Sequence, residues 1–409
     1  MIRIFIITYV LIMFSCVQKD KQGTGQVHTV LKCDNLPIRI TTDNLREIKL
    51  DPHDKGYMYD DLIDSVSFIK LQTTDNNLMA YVDQIFFTDN KIIIVDSKKL
   101  KAIFVYDYKG NFLYRISRCG EGPDEYRTLV YATLSMDKSQ IIVVDAGAKK
   151  IKYFSIDDDV VKASGSFLMK SVDLYYNFGY VEFLTDNIIA GYYSVGNVIP
   201  NTSDLHKFIL SNLNNEIYYS GYKSYYKKNF TFTTDSPLQK FGSNLFFNPS
   251  FNDTIFVVGK EGLDARYVIN IKGHKNIVEN ETTTDDDFRK VLKNTDYFNS
   301  HFVDLRDIAV FDYMTHVNWF TWGLYLKSEN KIYNCNGKFR NPIFSYCHEK
   351  SFYYKENTLV KPVSANSLLL NKGALLKNNN SPQLKVIYEN LTEDDNPVLL
   401  FYHMKTKIE

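Results

Sequence analysis

Eight histidines are the first side chains to weigh for chemistry, because imidazole is a common metal ligand and titrates nearest neutrality. None stands in an H-E-x-x-H arrangement or an i, i+4 pair, the spacings that put two ligands on one helix face. A zinc site would have to be gathered from distant segments, with His206, His301 and His316 as one such set; no spacing supports it, and no metal or cofactor is expected. The carboxylate runs Asp60-Asp61, Asp157-Asp158-Asp159, Asp285-Asp286-Asp287 and Asp394-Asp395 lie in polar contexts. They read as solvated turns or helix N-termini, not as a glycosidase acid and base facing each other across a pocket. Cys33, Cys119, Cys335 and Cys347 allow three pairings and include no C-x-x-C. Cys335 and Cys347 flank a turn-like stretch and could meet across adjacent strands; buried free thiols are equally compatible. No G-x-S-x-G, P-loop or dinucleotide fingerprint occurs.

Two stretches concentrate polar and aromatic groups. Tyr218-Tyr219, Tyr222 and Tyr225-Tyr226, with Lys223, Lys227 and Lys228, could stack on a sugar or peptide, or form an outer strand with a basic hairpin. Arg118-Cys119-Gly120-Glu121-Gly122-Pro123-Asp124-Glu125-Tyr126 combines two glycines and a proline with charged and aromatic side chains. Gly120 and Gly122 suit unusual backbone angles and Pro123 fixes the next turn. Glu125 can accept backbone N–H bonds or pair with Arg118, and Tyr126 can wedge between sheets with its hydroxyl wet. As a binding motif, Arg118, Glu125 and Tyr126 would contact a ligand at a channel mouth. Both readings are open at this point.

The elements that must position these residues are strands. Apolar residues make up 44% of the 409, with 30 Tyr and 28 Phe, a composition that favours β-structure. With 48 basic and 48 acidic side chains, the chain lacks the long-range field of a nucleic-acid binder. Thr88-Asp89-Asn90-Lys91 introduces Ile92-Ile93-Ile94-Val95-Asp96, Asp137-Lys138-Ser139-Gln140 introduces Ile141-Ile142-Val143-Val144-Asp145, and Thr185-Asp186-Asn187 introduces Ile188-Ile189-Ala190. Short strands bounded by turn residues, recurring at about 48 residues, mark propeller blades of four antiparallel strands. The segment from about residue 60 to 405 has room for seven such units, or for six once insertions are counted. Thr282 to Leu292 and Ser381-Pro382 to Leu391 read as short capped helices. The expected fold is therefore an all-β, six-bladed β-propeller of four-stranded antiparallel blades with short helical insertions. Its last strand, Pro397 to Tyr402, is expected to close the ring against an N-terminal strand.

At the N-terminus, Arg3 precedes an apolar run from Ile4 to Phe14 interrupted only by Thr8. That is shorter than the roughly 20 residues needed to span a bilayer and suits a signal peptide. The run ends at Ser15-Cys16 and is followed by polar Gln18 to Gln22. A small residue before Cys resembles a bacterial lipobox, which predicts residues 1–15 as a lipoprotein signal peptide and Cys16 as the lipidated first mature residue. Residues 16–35 read as a flexible tether and 36–409 as the propeller domain.

The 118–126 segment resembles the G-x-G-P-x-E-Y motif of the six-bladed β-propeller lipoproteins of Bacteroides-type bacteria, which are related to NHL-repeat proteins. Val66 to Leu71, Asn252-Asp253-Thr254-Ile255-Phe256 and Asn396-Pro397-Val398-Leu399 extend the resemblance; Cys119 and Asp124 depart from the residues usual at those positions. The resemblance implies a lipid-anchored protein of the cell envelope, on the periplasmic face or the cell surface. With no catalytic motif in the sequence, it is expected to act as a non-catalytic binding module for a glycan, peptide or partner protein, with no nucleic-acid partner. The competing expectation is an enzyme, a metal-dependent lyase or hydrolase of the NHL-like type with a site assembled from several blades.

Overall fold

The computed structural model describes the backbone of residues 27–31 and residues 38–408, apart from 123–124, 149, 157–162, 169–178, 199–204, 214–215, 224–236, 250–251, 275–285, 287–289, 291–292, 295, 316–320, 336, 349–352 and 379–380. The predicted signal peptide, Cys16, Cys33, Pro123, His316 and Tyr225 to Lys228 lie outside these residues, as does most of the predicted helix near 282–292.

The chain forms a six-bladed β-propeller. Blade 1 spans Gln84–Phe87 to Phe112–Ile116, blade 2 Tyr131–Leu134 to Ala163–Leu168, and blade 3 Tyr180–Thr185 to Ile217–Lys223. Blade 4 runs from Leu238–Phe241 to Gly262–Ile271 and blade 5 from Tyr297–Asp304 to Lys331–Cys335. Blade 6 joins Tyr353–Lys355, Thr358–Val363 and the final strand Val398–Met404 to Ile63–Lys70 from the start of the chain.

The blades stack because both faces of their strands are apolar. In Lys91–Asp96, Ile92 and Ile94 pack against Leu399 and Phe401 of blade 6, whereas Ile93 and Val95 pack with Ala132, Ile141 and Val143 of blade 2. The two-residue period of a strand thus divides one run of isoleucines between two neighbours. Blade 2 repeats the device: Ile141 and Val143 face back to blade 1, and Ile142 and Val144 face Val181, Phe183 and Ile189 of blade 3.

Ring closure follows the expected route, with Val398 opposite Lys70 and Tyr402 opposite Val66 in antiparallel register. A buried amide locks it. Asn396 Nδ2 donates to the carbonyls of Gln72 and Asn77, its Oδ1 accepts from Met79 N at 2.9 Å, and its own N donates to Thr73 Oγ1 at 2.8 Å. Before reaching blade 6, the N-terminal segment covers outer edges. Ile38–Thr41 and Arg46–Leu50 pair parallel to Gly262–Ile271 of blade 4, and Gly56–Tyr57 pairs parallel to the last strand of blade 5. Exposed edges invite intermolecular pairing, and this arm blunts two of them. Part of the segment expected to be a tether, Val27–Leu31, is a strand on Ile38–Thr41.

The helix predicted after Ser381 spans Pro382–Glu389; Ser381 Oγ accepts from Leu384 N, and Leu384, Ile387 and Tyr388 are buried. Two helices not anticipated, Ala365–Leu370 and Lys372–Asn378, precede it within blade 6. They pack with a 3-10 turn, Pro342–His348, over a core that includes Cys335 and Cys347. Cys335 ends a strand and Cys347 lies in that turn, so they do not face each other across adjacent strands; both are free, and burial pushes the Cys335 thiol up to about 12. Among the described residues no helix is long and apolar enough to cross a membrane.

Candidate functional site

The first strands of neighbouring blades touch one another from blade 6 through blade 4, and so surround the axis. Blade 2 supplies Tyr131 and Thr133, blade 3 Glu182, blade 4 Lys240 and blade 6 Tyr354. Glu182 is 5% exposed. Thr133 Oγ1 donates to its Oε2 at 2.6 Å and the Tyr131 hydroxyl to its Oε1 at 3.3 Å. Burial pushes the Glu182 carboxyl up to about 7, against the opposing pull of Thr133, Lys240 and Tyr131. Lys240 shifts the other way: burial lowers it, and the charges of Glu182 and Asp186 hold it up. The Tyr354 hydroxyl donates to the Lys240 carbonyl at 3.2 Å. Nearby, the Gln84 amide both donates to and accepts from the Ala132 backbone, each bond at 2.9 Å, and so ties blade 1 to blade 2. The cluster offers a carboxyl that is half-protonated near neutrality, an ammonium and phenolic hydroxyls: hydrogen-bonding groups of both polarities in a low-dielectric setting.

None of these axial residues was singled out from the sequence. The signal was present in Val181-Glu182-Phe183-Leu184, where a carboxylate interrupts an apolar run.

The 118–126 motif is placed between the last strand of blade 1 and the first of blade 2. Tyr126 N donates to the Arg118 carbonyl at 2.8 Å, and Gly120 N to the Tyr126 carbonyl at 3.0 Å. Glu125 folds back on the loop, its Oε2 accepting from Gly122 N at 2.8 Å. Tyr126 is completely buried, edge-on to Phe154, and its hydroxyl donates to the Lys101 and Ile116 carbonyls. The expected wet hydroxyl is therefore corrected: the phenol fills a gap between blades where, among the described residues, it bonds two carbonyls. A Cβ on Gly120 would lie 2.0 Å from Glu125 Oε2. Gly120→Ala is therefore expected to displace the Glu125 side chain and cost about 1–2 kcal/mol in urea unfolding.

The histidines are brought to separate places. His206 Nδ1 is 2.9 Å from Ser220 Oγ within blade 3, and His301 Nδ1 is 2.8 Å from Asp312 Oδ2 within blade 5. Among the described residues no three His, Cys, Asp or Glu side chains converge on one point. Where they are described, the carboxylate runs lie at a helix N-terminus and in a turn, though Asp395 is mostly buried and paired with Lys70 instead of solvated. Asp60 and Asp61 sit in the first turn of a helix, Tyr59–Leu62, and Asp395 Oδ2 accepts from Thr392 N in a turn. Of the tyrosine-rich stretch, Tyr219 is buried with its hydroxyl on the Gly259 and Gly262 carbonyls, and Tyr222 packs edge-on to Phe247.

Six blades around a polar axis define the class: a β-propeller. Residues 46–403 match the domain of unknown function DUF4934, and the chain belongs to that family. Its fold resembles that of a protein from Bacteroides fragilis NCTC 9343 described as exported, with a TM-score of 0.68 and 22% identity over 88% of this chain and 99% of the other. A member of the DUF4221 family from Bacteroides vulgatus is similar at a TM-score of 0.49 and 13% identity, over 85% of this chain and 98% of that one. No curated protein matches the sequence.

Proposed function

We propose that this chain is an exported, lipid-anchored envelope protein whose propeller axis recognises a glycan, peptide or partner protein without transforming it. The observation that carries the reading is the Glu182 cluster. Tyr131 and Thr133 of blade 2 bond Glu182 of blade 3 there, the Lys240 charge of blade 4 acts on it, and Tyr354 of blade 6 binds the Lys240 carbonyl, in the position where propeller loops and inner strands converge on ligands. The exported character of the Bacteroides fragilis neighbour and the Ser15-Cys16 sequence support the setting. Arrays of envelope glycans and peptides, probed with the chain expressed from Val17 onward, test recognition. A ligand bound at micromolar Kd, with at least tenfold loss in Tyr354→Phe or Glu182→Gln, is the expected result; no ligand, or one indifferent to both variants, would sink the axial assignment. Anchoring is tested separately. Wild type is expected to take up labelled palmitate and partition into detergent, and Cys16→Ala to do neither.

A second reading, a hydrolase or lyase with a site assembled from several blades, is favoured by one feature: a buried carboxyl titrating near 7, held down by the charge of Lys240, suits proton transfer. Turnover of the bound ligand, abolished by Glu182→Gln with binding retained, would establish it.

A further inference from the structure

A second polar site lies away from the axial cluster, beside the loop motif. Gly120 and Glu121 of that loop, Arg127, Gly147 of the adjoining turn, Lys150 and Lys152 line a cleft of about 370 Å³. The topology explains the meeting. Tyr131 pairs with Val144 and Asp145 with Lys150, so the chain entering blade 2 and the turn between its second and third strands share one end of the blade. Asp145 then draws them together, accepting from Arg127 N at 2.9 Å, Thr128 N at 2.9 Å and Ala148 N at 3.1 Å.

Lys152 is the anomaly. It is 4% exposed, and among the described residues its one polar contact is the Gly122 carbonyl at 3.5 Å, the limit of a hydrogen bond. An ammonium removed from water without a counter-charge is costly. Arg127 does carry a counter-ion, Glu121 at 2.9 Å, but both side chains are well exposed, so that pair is weak and readily exchanged. The described lining therefore holds three cations against one carboxylate, including a guanidinium fork suited to oxyanions.

We propose that this cleft binds a tetrahedral dianion, phosphate or sulfate, free or as an ester, with Lys152 as its buried counter-charge and Arg127 and Lys150 at the mouth. The site stands independently of the axial reading. Calorimetry on the intact protein at low ionic strength, with inorganic phosphate, inorganic sulfate, glucose 6-phosphate and acetate, tests it. Phosphate or sulfate is expected to bind at submillimolar Kd and to raise the thermal midpoint, with acetate at least tenfold weaker. Glucose 6-phosphate binding more tightly than the free ion would identify an ester as the ligand; tighter binding of the free ion would identify the ion itself. Lys152→Met is expected to lose binding at least tenfold while keeping or raising stability without anion, since it removes a buried charge that pairs with no carboxylate among the described residues. Should that variant fail to fold, Arg127→Gln with Lys150→Gln on the exposed rim carries the same expectation. No binding of either ion below 10 mM, acetate binding equally well, or affinity unchanged in the variants would overturn the proposal.

Discussion

Asp145→Ala is expected to destabilise the domain by about 3–4 kcal/mol in urea unfolding, the largest effect of any single polar truncation considered. Asp145 ends the second strand of blade 2 and is wholly buried. Its Oδ1 accepts from Thr128 N, Ala148 N and Thr128 Oγ1, and its Oδ2 from Arg127 N. Truncation leaves these donors without an acceptor and opens a void where Gly147 packs on Arg127 and Thr128. Asp145→Asn retains one acceptor oxygen but presents an amide N–H₂ group to at least one former donor, so roughly half the loss, about 1.5–2 kcal/mol, is expected. Blade 1 supplies an internal control. Asp96 occupies the same place, its Oδ2 accepting from Ala80 N and Tyr81 N and its Oδ1 from Lys99 N and Leu100 N. Asp96→Ala should match Asp145→Ala within about 1 kcal/mol. If either alanine variant unfolds at the wild-type urea midpoint, these aspartates are not the clamps between blade turns that the geometry makes them.

These two aspartates also show what sequence can and cannot say about this fold. In Ile92 to Asp96 and Ile141 to Asp145 the aspartate reads as a strand's polar boundary, and the repeat it marks does predict blades. That it is buried, and binds a loop entering the same blade, depends on contacts 15 to 18 residues away in the chain. In the Gly120–Tyr126 loop the Glu125 bond to Gly122 was legible because it is local, whereas Gly120 and Gly122 lack the positive φ expected of them and the Tyr126 hydroxyl is buried, not wet. The parallel edge strands Ile38–Thr41 and Arg46–Leu50 were not, because their partner lies more than two hundred residues onward, and a four- or five-residue alternation is a weak pattern by itself. The axial cluster was least legible of all. It takes one or two residues from each of four short strands: stacking of blades 2 and 3 brings Thr133 to Glu182, and closing of the ring brings Tyr354 of blade 6 to the Lys240 carbonyl of blade 4. A local sign did exist: Glu182, like Lys152, is a charge set within a run of strand-forming residues. Position within the ring then separates their chemistry, carboxyl at the axis and ammonium at the blade's end.

The pH dependence of stability should report directly on Glu182. Its carboxyl titrates at about 7 in the folded protein against an ordinary 4.5, because burial penalises the charged form more than Thr133, Tyr131 and Lys240 favour it. Between those values the folded state holds a proton that the unfolded chain has released. The stabilisation this proton brings is whole below about pH 4.5, declines as pH rises, and is gone above 7, a change of roughly 3 kcal/mol. Asp304 is also raised by burial, whereas Asp83 and Asp395 are held low and titrate below this span, so the wild-type curve alone does not isolate Glu182. The difference from Glu182→Gln does, because the amide keeps the shape of the protonated acid and never ionises. At pH 4.5 the two proteins should unfold within about 0.5 kcal/mol of each other, and at pH 8 the variant should be more stable by about 2–3 kcal/mol. Lys240→Met should move the window upward, since it removes the cation that holds the carboxyl down. A wild-type minus Glu182→Gln difference that is flat from pH 4.5 to 8 would mean that the carboxyl ionises as it does in water. The axis would then be an open, solvated channel and not a desolvated hydrogen-bonding site.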